Sequence, residues 1–171
     1  MRNSFLAVIF LLPSISGLSQ SLKKYPVSNS GCFIYNYCDI KFEASKSQDS
    51  SMVYNGECIK EEVIYGVICV KLLLPVNNLV AAEDLLISYA DYLRGSFEIT
   101  KAIGYGKGHR LNNNENTRGI TDYWEDAEKN KWKIKAWTDG NYIGFMYAYS
   151  KKELPKAKVN VFLDGLRLPG M

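Results

Sequence analysis

His109 is the only histidine in the 171-residue chain, so any acid–base step that needs an imidazole must use it. A small secreted hydrolase would pair it with Asp122 or Glu125. The nucleophile is harder to find, because no Gly-x-Ser-x-Gly elbow occurs and the cysteines are better used otherwise. Beside Arg110 at a loop edge, His109 reads more simply as a solvated side chain, and no catalytic residue is assigned. Gly104, Gly106 and Gly108 flank Lys107 in a pattern close to a phosphate loop. A dinucleotide fingerprint needs G-x-G-x-x-G before a helix, whereas here the third glycine comes one residue early and an Asn-rich loop follows. A Walker loop needs Ser or Thr after the lysine, and Gly108 stands there. A bent or bulged strand is the better reading.

Asp122, Glu125, Asp126 and Glu128 surround Tyr123-Trp124. Paired carboxylates serve glycoside hydrolysis, and clustered oxygens bind calcium. The EF-hand pattern is absent, and alternation along a hairpin makes these acids a solvated edge. Trp137 and Tyr142 beside Lys133 and Lys135 form the leading contact surface, since exposed aromatics next to cations suit sugars, anionic ligands or a protein interface. The competing reading has a helix over this face, with the lysines snorkelling to its rim. The candidate binding residues are therefore Trp137, Tyr142, Lys133, Lys135, Gly106, Lys107 and His109. No cofactor and no metal site is expected.

These residues must be carried by one domain. Hydrophobic residues are 47% and charged residues 23%, which excludes a disordered chain, a coiled coil or a collagen-like repeat. A net charge of +3 makes no electrostatic case for nucleic acid. Arg2, the apolar run Phe5–Leu12, and Gly17 and Ser19 at the −3 and −1 positions read as a signal peptide over 1–19, leaving Gln20 first. The apolar run is far shorter than the ~20 residues that span a bilayer, so no membrane span is expected after cleavage. Ser30-Gly31-Cys32 resembles a lipid-attachment box, but mostly polar residues separate it from the apolar run. A soluble secreted or periplasmic protein follows, whose partner is a protein or small ligand.

Export gives Cys32, Cys38, Cys58 and Cys69 their meaning, because an even count in an oxidising compartment favours two disulfides. Zinc would want close pairs, whereas the gaps here hold five, nineteen and ten residues. Three pairings are open. Cys32–Cys38 with Cys58–Cys69 closes the shortest loops and is favoured.

Residues 20–31 read as a flexible lead-in, and 32–171 as a single α+β domain. Ile40, Phe42 and Ala44 alternate with polar residues as in a half-buried strand, and Val63–Leu74 is apolar enough for a strand buried on both faces. Leu79, Ala82, Leu86, Tyr89, Leu93 and Phe97 have helical spacing, predicting a helix over 78–94 with Gly95 as its stop. Asp139-Gly140 marks a hairpin. A two-residue turn would set Trp137 opposite Tyr142, with Trp132, Ile134, Ala136, Ile143, Phe145 and Tyr147 facing the core. Lys156–Leu168 opens as a short helix.

This order, with Ala82-Glu83-Asp84-Leu85-Leu86 in the helix and Val161-Phe162-Leu163-Asp164-Gly165-Leu166-Arg167-Leu168 at the close, resembles the PsbP-like proteins. The resemblance implies a central antiparallel sheet with a long helix on one face and a short C-terminal helix on the other, in a non-catalytic binding or accessory protein. The chain also looks like small exported proteins of Bacteroidetes, in which Gln follows the cleavage site. The leading expectation is an exported non-enzymatic binding or accessory domain. The alternatives are the hydrolase above and a subunit of an envelope assembly.

Overall fold

The computed structural model describes residues 22–171, so the leader expected at 1–19 lies outside the described residues. The order of elements is β1 (Lys23–Pro26), β2 (Phe33–Asn36), β3 (Glu43–Lys46), β4 (Met52–Lys60), β5 (Val63–Lys71), α1 (Leu79–Ser96), β6 (Ile99–Ala102), β7 (Gly106–His109), β8 (Arg118–Asp126), β9 (Lys131–Thr138), β10 (Tyr142–Ser150), α2 (Lys156–Leu163) and β11 (Leu166–Arg167). Eight strands form one antiparallel sheet in the order β3-β4-β5-β10-β9-β8-β6, with β7 also pairing β8. A second sheet, β1-β2-β11, packs separately.

β5 lies mid-sheet between β4 and β10. Its odd-numbered residues Val63, Tyr65, Val67 and Cys69 enter a core with Val159, Phe162 and Leu163 of α2 and Ile34 and Leu166 of the small sheet. Ile68 and Val70 enter the opposite core with Leu86, Ala90 and Leu93 of α1. The continuous apolar pattern therefore does mark a strand covered on both sides.

The expected α+β fold, a PsbP-like α/β/α sandwich, is corrected by this architecture. Strands take 44% of the described residues and helices 19%, so the fold is mostly β. Only eight residues form α2, and the small sheet shares its face. That sheet draws on the segment read as a flexible lead-in, which carries β1, and on the C-terminal phrase, which supplies β11. Four-residue and two-residue strands are too short to show a period, so the sequence pattern hides them.

Two further departures have local causes. α1 passes through Gly95 to Ser96, and Glu98 rather than glycine takes the left-handed conformation, with φ 52°. The two extra residues place Phe97 against Trp132, with ring centroids 5.0 Å apart, and this packing outweighs the glycine's propensity. At its start the helix is capped by Asn78, whose Oδ1 accepts from the Val80 amide at 2.8 Å. The β9–β10 hairpin is shifted by two residues from a two-residue turn, pairing Trp137 with Gly144 and Lys135 with Met146. Asp139 Oδ1 accepts from the amides of Asn141 and Tyr142, and Gly140 O accepts from Val76 N at 2.7 Å. These bonds dock a longer loop onto the β5–α1 connection. A shift of two preserves which face each side chain occupies, so Trp132, Ile134, Ala136, Ile143, Phe145 and Tyr147 form the α1-side core as expected.

Gly66 enables one long contact on that face. Its partner across the sheet is Tyr147, whose phenol crosses β5 to donate to Glu57 Oε1 at 2.8 Å. A Cβ at Gly66 would sit 2.1 Å from the Tyr147 ring. Gly66→Ala is expected to lower unfolding stability by about 1–3 kcal/mol, the usual cost of overpacking. Combining it with Tyr147→Leu should recover part of that loss. Denaturant titration of the two single variants and the double variant checks this, and strictly additive losses would disprove the contact.

Candidate functional site

The acidic run on β8 divides by parity. Asp122, Trp124 and Asp126 point toward α1 and are buried, so they are not the solvated edge expected of them. Asp122 accepts from Arg94 Nη2 at 2.8 Å, Trp124 Nε1 at 2.6 Å, Gly104 N at 3.0 Å and Tyr123 N at 2.7 Å. Its work is to fasten the β6–β7 loop to α1. Tyr105 adds to that joint by donating to Asp91 at 2.7 Å beneath the Arg94 guanidinium. Glu125 is taken up by Lys101 and Lys129, which hold its carboxyl below the usual range.

Asp126 does for Trp132 what Asp122 does for Trp124. It accepts from Trp132 Nε1 at 2.8 Å, Asn130 Nδ2 at 2.7 Å and Asn130 N at 2.9 Å. Burial pushes its carboxyl upward, but the bonds from Asn130 and Trp132 outweigh that and leave it below the ordinary aspartate value. The Trp132 ring is thereby held in a stack with Tyr149, centroids 3.9 Å apart and planes 11° apart, and with Phe97.

This stack forms a wall of a groove of about 720 Å³ between the end of α1, the β8–β9 turn and the β4–β5 turn. Five carboxylates line it, those of Glu57, Glu62, Glu98, Asp126 and Glu128, against two lysines. Lys152 pairs with Glu62, and Lys151 with Glu128 at 3.5 Å. Glu57 and Asp126 have neutral partners, and Glu98 makes no ion pair among the described residues. Negative charge without a matching cation therefore lies beside aromatic faces. Tyr147, at the back of the stack, has its phenol pushed upward by burial and by Glu57.

The residues singled out from sequence are elsewhere. Trp137 is only 3% exposed and lies across Gly119 on the α2 side. Tyr142 is half-buried and donates to Ser30 O at 3.1 Å. Lys133 donates to Asn160 Oδ1 at 2.6 Å and Lys135 pairs with Asp164, so α2 holds both lysines on this face. Gly106, Lys107 and His109 are on the edge strand β7, with His109 opposite Gly119. Through Gly119, His109 shares a sheet row with Trp137, whereas Gly106 lies across Thr121 from Lys135. His109 makes no hydrogen bond or ion pair with Asp122 or Glu125 among the described residues, and those carboxylates are already engaged.

Sequence reasoning missed the groove because Glu57 of β4, Phe97 and Glu98 of the α1–β6 connection and Tyr149 of β10 lie far apart along the chain. A second groove, of about 680 Å³, opens beside α2 and has the opposite character, with Lys101, Lys131, Lys133 and Lys156 among its walls. Among the described residues, no group of three or more His, Cys, Asp or Glu side chains could hold a metal ion, and no helix is long and apolar enough to cross a membrane. Compared with known proteins, the chain matches no family model and no curated sequence.

Two outcomes follow from this geometry. A carboxyl depressed in the folded state contributes stability above its unfolded value, about 3.9, that is lost as pH falls through the folded value. The stability gap between wild type and Asp126→Asn, about 1–3 kcal/mol at neutral pH, should therefore shrink below about pH 4 in urea titrations at a series of pH values. Glu98→Gly should raise stability by up to about 1 kcal/mol, because glycine removes the left-handed penalty. A lower denaturation midpoint for this variant would contradict that reading.

Proposed function

We propose that the protein is an exported, non-enzymatic binding or accessory domain that takes a cationic organic group, an amine or guanidinium, in the groove beside Trp132 and Tyr149. The observation that carries this reading is the aromatic wall flanked by Glu57, Glu98 and Asp126, with which no lysine pairs among the described residues. A cation is attracted to both the carboxylates and the ring faces, and a planar guanidinium can also stack. Export is supported by the leader-like N-terminus and by the Cys38–Cys58 disulfide, which suits a secreted or periplasmic setting. Against a hydrolase stands the engagement of Asp122 and Glu125 by Arg94, Trp124, Lys101 and Lys129, with no hydrogen bond to His109 among the described residues.

Calorimetric titration with arginine methyl ester, and separately with maltohexaose, tests the proposal. The cation should bind and weaken as salt rises. Glu98→Gln should lower its affinity by about tenfold, equivalent to ~1.4 kcal/mol. Lys133→Gln, in the opposite groove, should leave it unchanged. Binding of the neutral sugar alone, or no heat with the cation at millimolar concentration, would refute the assignment.

A further inference from the structure

The structure pairs Cys38 with Cys58, not with Cys32, and so overturns the favoured short-loop connectivity. The two remaining cysteines are 37 residues apart in sequence and meet inside the protein. Cys69 Sγ lies 3.4 Å from Cys32 Sγ, and the residues are 0% and 2% exposed.

Both thiols are held where they are by backbone. Cys69 sits in β5, paired with Tyr54 of β4 on one side and Gly144 of β10 on the other. Cys32 closes the β1–β2 turn, where its amide donates to Ser30 Oγ at 3.0 Å and its carbonyl accepts from Val27 N at 2.9 Å. Tyr142 of β10 reaches the same turn through the Ser30 carbonyl. A disulfide has its sulfurs about 2.05 Å apart, so these two need to approach by roughly 1.4 Å. The Cys69 thiol donates toward Cys32, which favours the thiolate at Cys32 and disfavours it at Cys69.

We propose that Cys32 and Cys69 form a second, buried disulfide that locks the small sheet onto the central one, and that it closes during folding and resists reduction in the native state. The chemistry is thiol–disulfide exchange with a disulfide oxidant such as oxidised glutathione. The Cys32 thiolate attacks one oxidant sulfur, forming a mixed disulfide and releasing one thiol. The Cys69 thiolate then attacks the Cys32 sulfur and releases the second thiol. Two protein thiols and one oxidant disulfide become one protein disulfide and two small thiols, with the two protons carried away on the products. Because neither sulfur faces solvent, the oxidant must act before the small sheet docks. Cys38 and Cys58 are only half-buried, which exposes their bond to reductant first.

The test needs no substitution. The protein, recovered from an exporting host or refolded with reduced and oxidised glutathione, is denatured in iodoacetamide without reductant, digested and mapped by mass spectrometry. The expected result is a Cys32–Cys69 cross-linked peptide together with Cys38–Cys58, and no alkylated cysteine. Alkylated Cys32 and Cys69, or cross-links of Cys32 to Cys38 and Cys58 to Cys69, would overturn the assignment. In a second experiment the native protein is exposed to dithiothreitol and alkylated over time. Cys38 and Cys58 should be labelled at least tenfold faster than Cys32 and Cys69, whose labelling should follow global unfolding. Equal rates would overturn the claim of native-state resistance. A Cys38→Ala, Cys58→Ala double variant should retain the Cys32–Cys69 bond, and free thiols in a folded variant would count against it.

Discussion

A strand with no solvent-facing side sets the terms for the whole molecule. β5 presents Val67 and Cys69 to one face and Ile68 and Val70 to the other, so each face must be roofed. Apolar burial at about 25 cal/mol per Å² drives both coverings, but it does not dictate what they are made of. One roof is the 18-residue amphipathic helix α1. The other is assembled from α2 and the three-stranded sheet, which recruits both ends of the described chain. No single segment on that side is long enough to cover β5 alone, which is why the small sheet, the β1–β2 turn and α2 all converge on it.

The two coverings also divide the charge. On the α1 side, Asp122 and Asp126 are buried, and their oxygens are satisfied by indole, guanidinium and amide donors. They orient Trp124 and Trp132, and Trp132 in turn organises Phe97, Tyr147 and Tyr149. Where this cluster reaches the sheet's end it opens into the acidic groove. On the other side, lysines of β9 meet acceptors on α2, and the surface there is basic. Two grooves of similar volume thus differ in sign: the acids of one come mainly from β4 and the connections after β4, α1 and β8, and the lysines of the other from β6, β9 and α2.

Much of the local structure is legible in the residues. The period-2 pattern of β9 and β10 assigns each side chain its face, and the 3.6-residue pattern finds Ala82, Leu86 and Leu93 under α1. The Asp139-Gly140 turn is legible in type but not in length, because Val76 and Leu72 hold the loop through backbone bonds that no side-chain pattern records. Of the groove, the acidic run and Trp132 stand in one stretch, yet parity alone did not reveal that Asp126 is buried. Glu57 and Phe97 gave no signal, since each is ordinary in its own segment.

Composition and periodicity, which are properties of neighbouring residues, determined by themselves that this is a single globular domain with a doubly buried strand, one amphipathic helix and a C-terminal hairpin. Tertiary structure alone decided which cysteines meet, that the second roof is largely sheet, and that Tyr147 reaches Glu57 across the gap left by Gly66. Those outcomes join residues at least 20 positions apart, and the pairing of Ile34 with Leu166 links the two ends of the described chain. Their energies depend on what the intervening chain packs against, and a pattern confined to one segment carries no record of that.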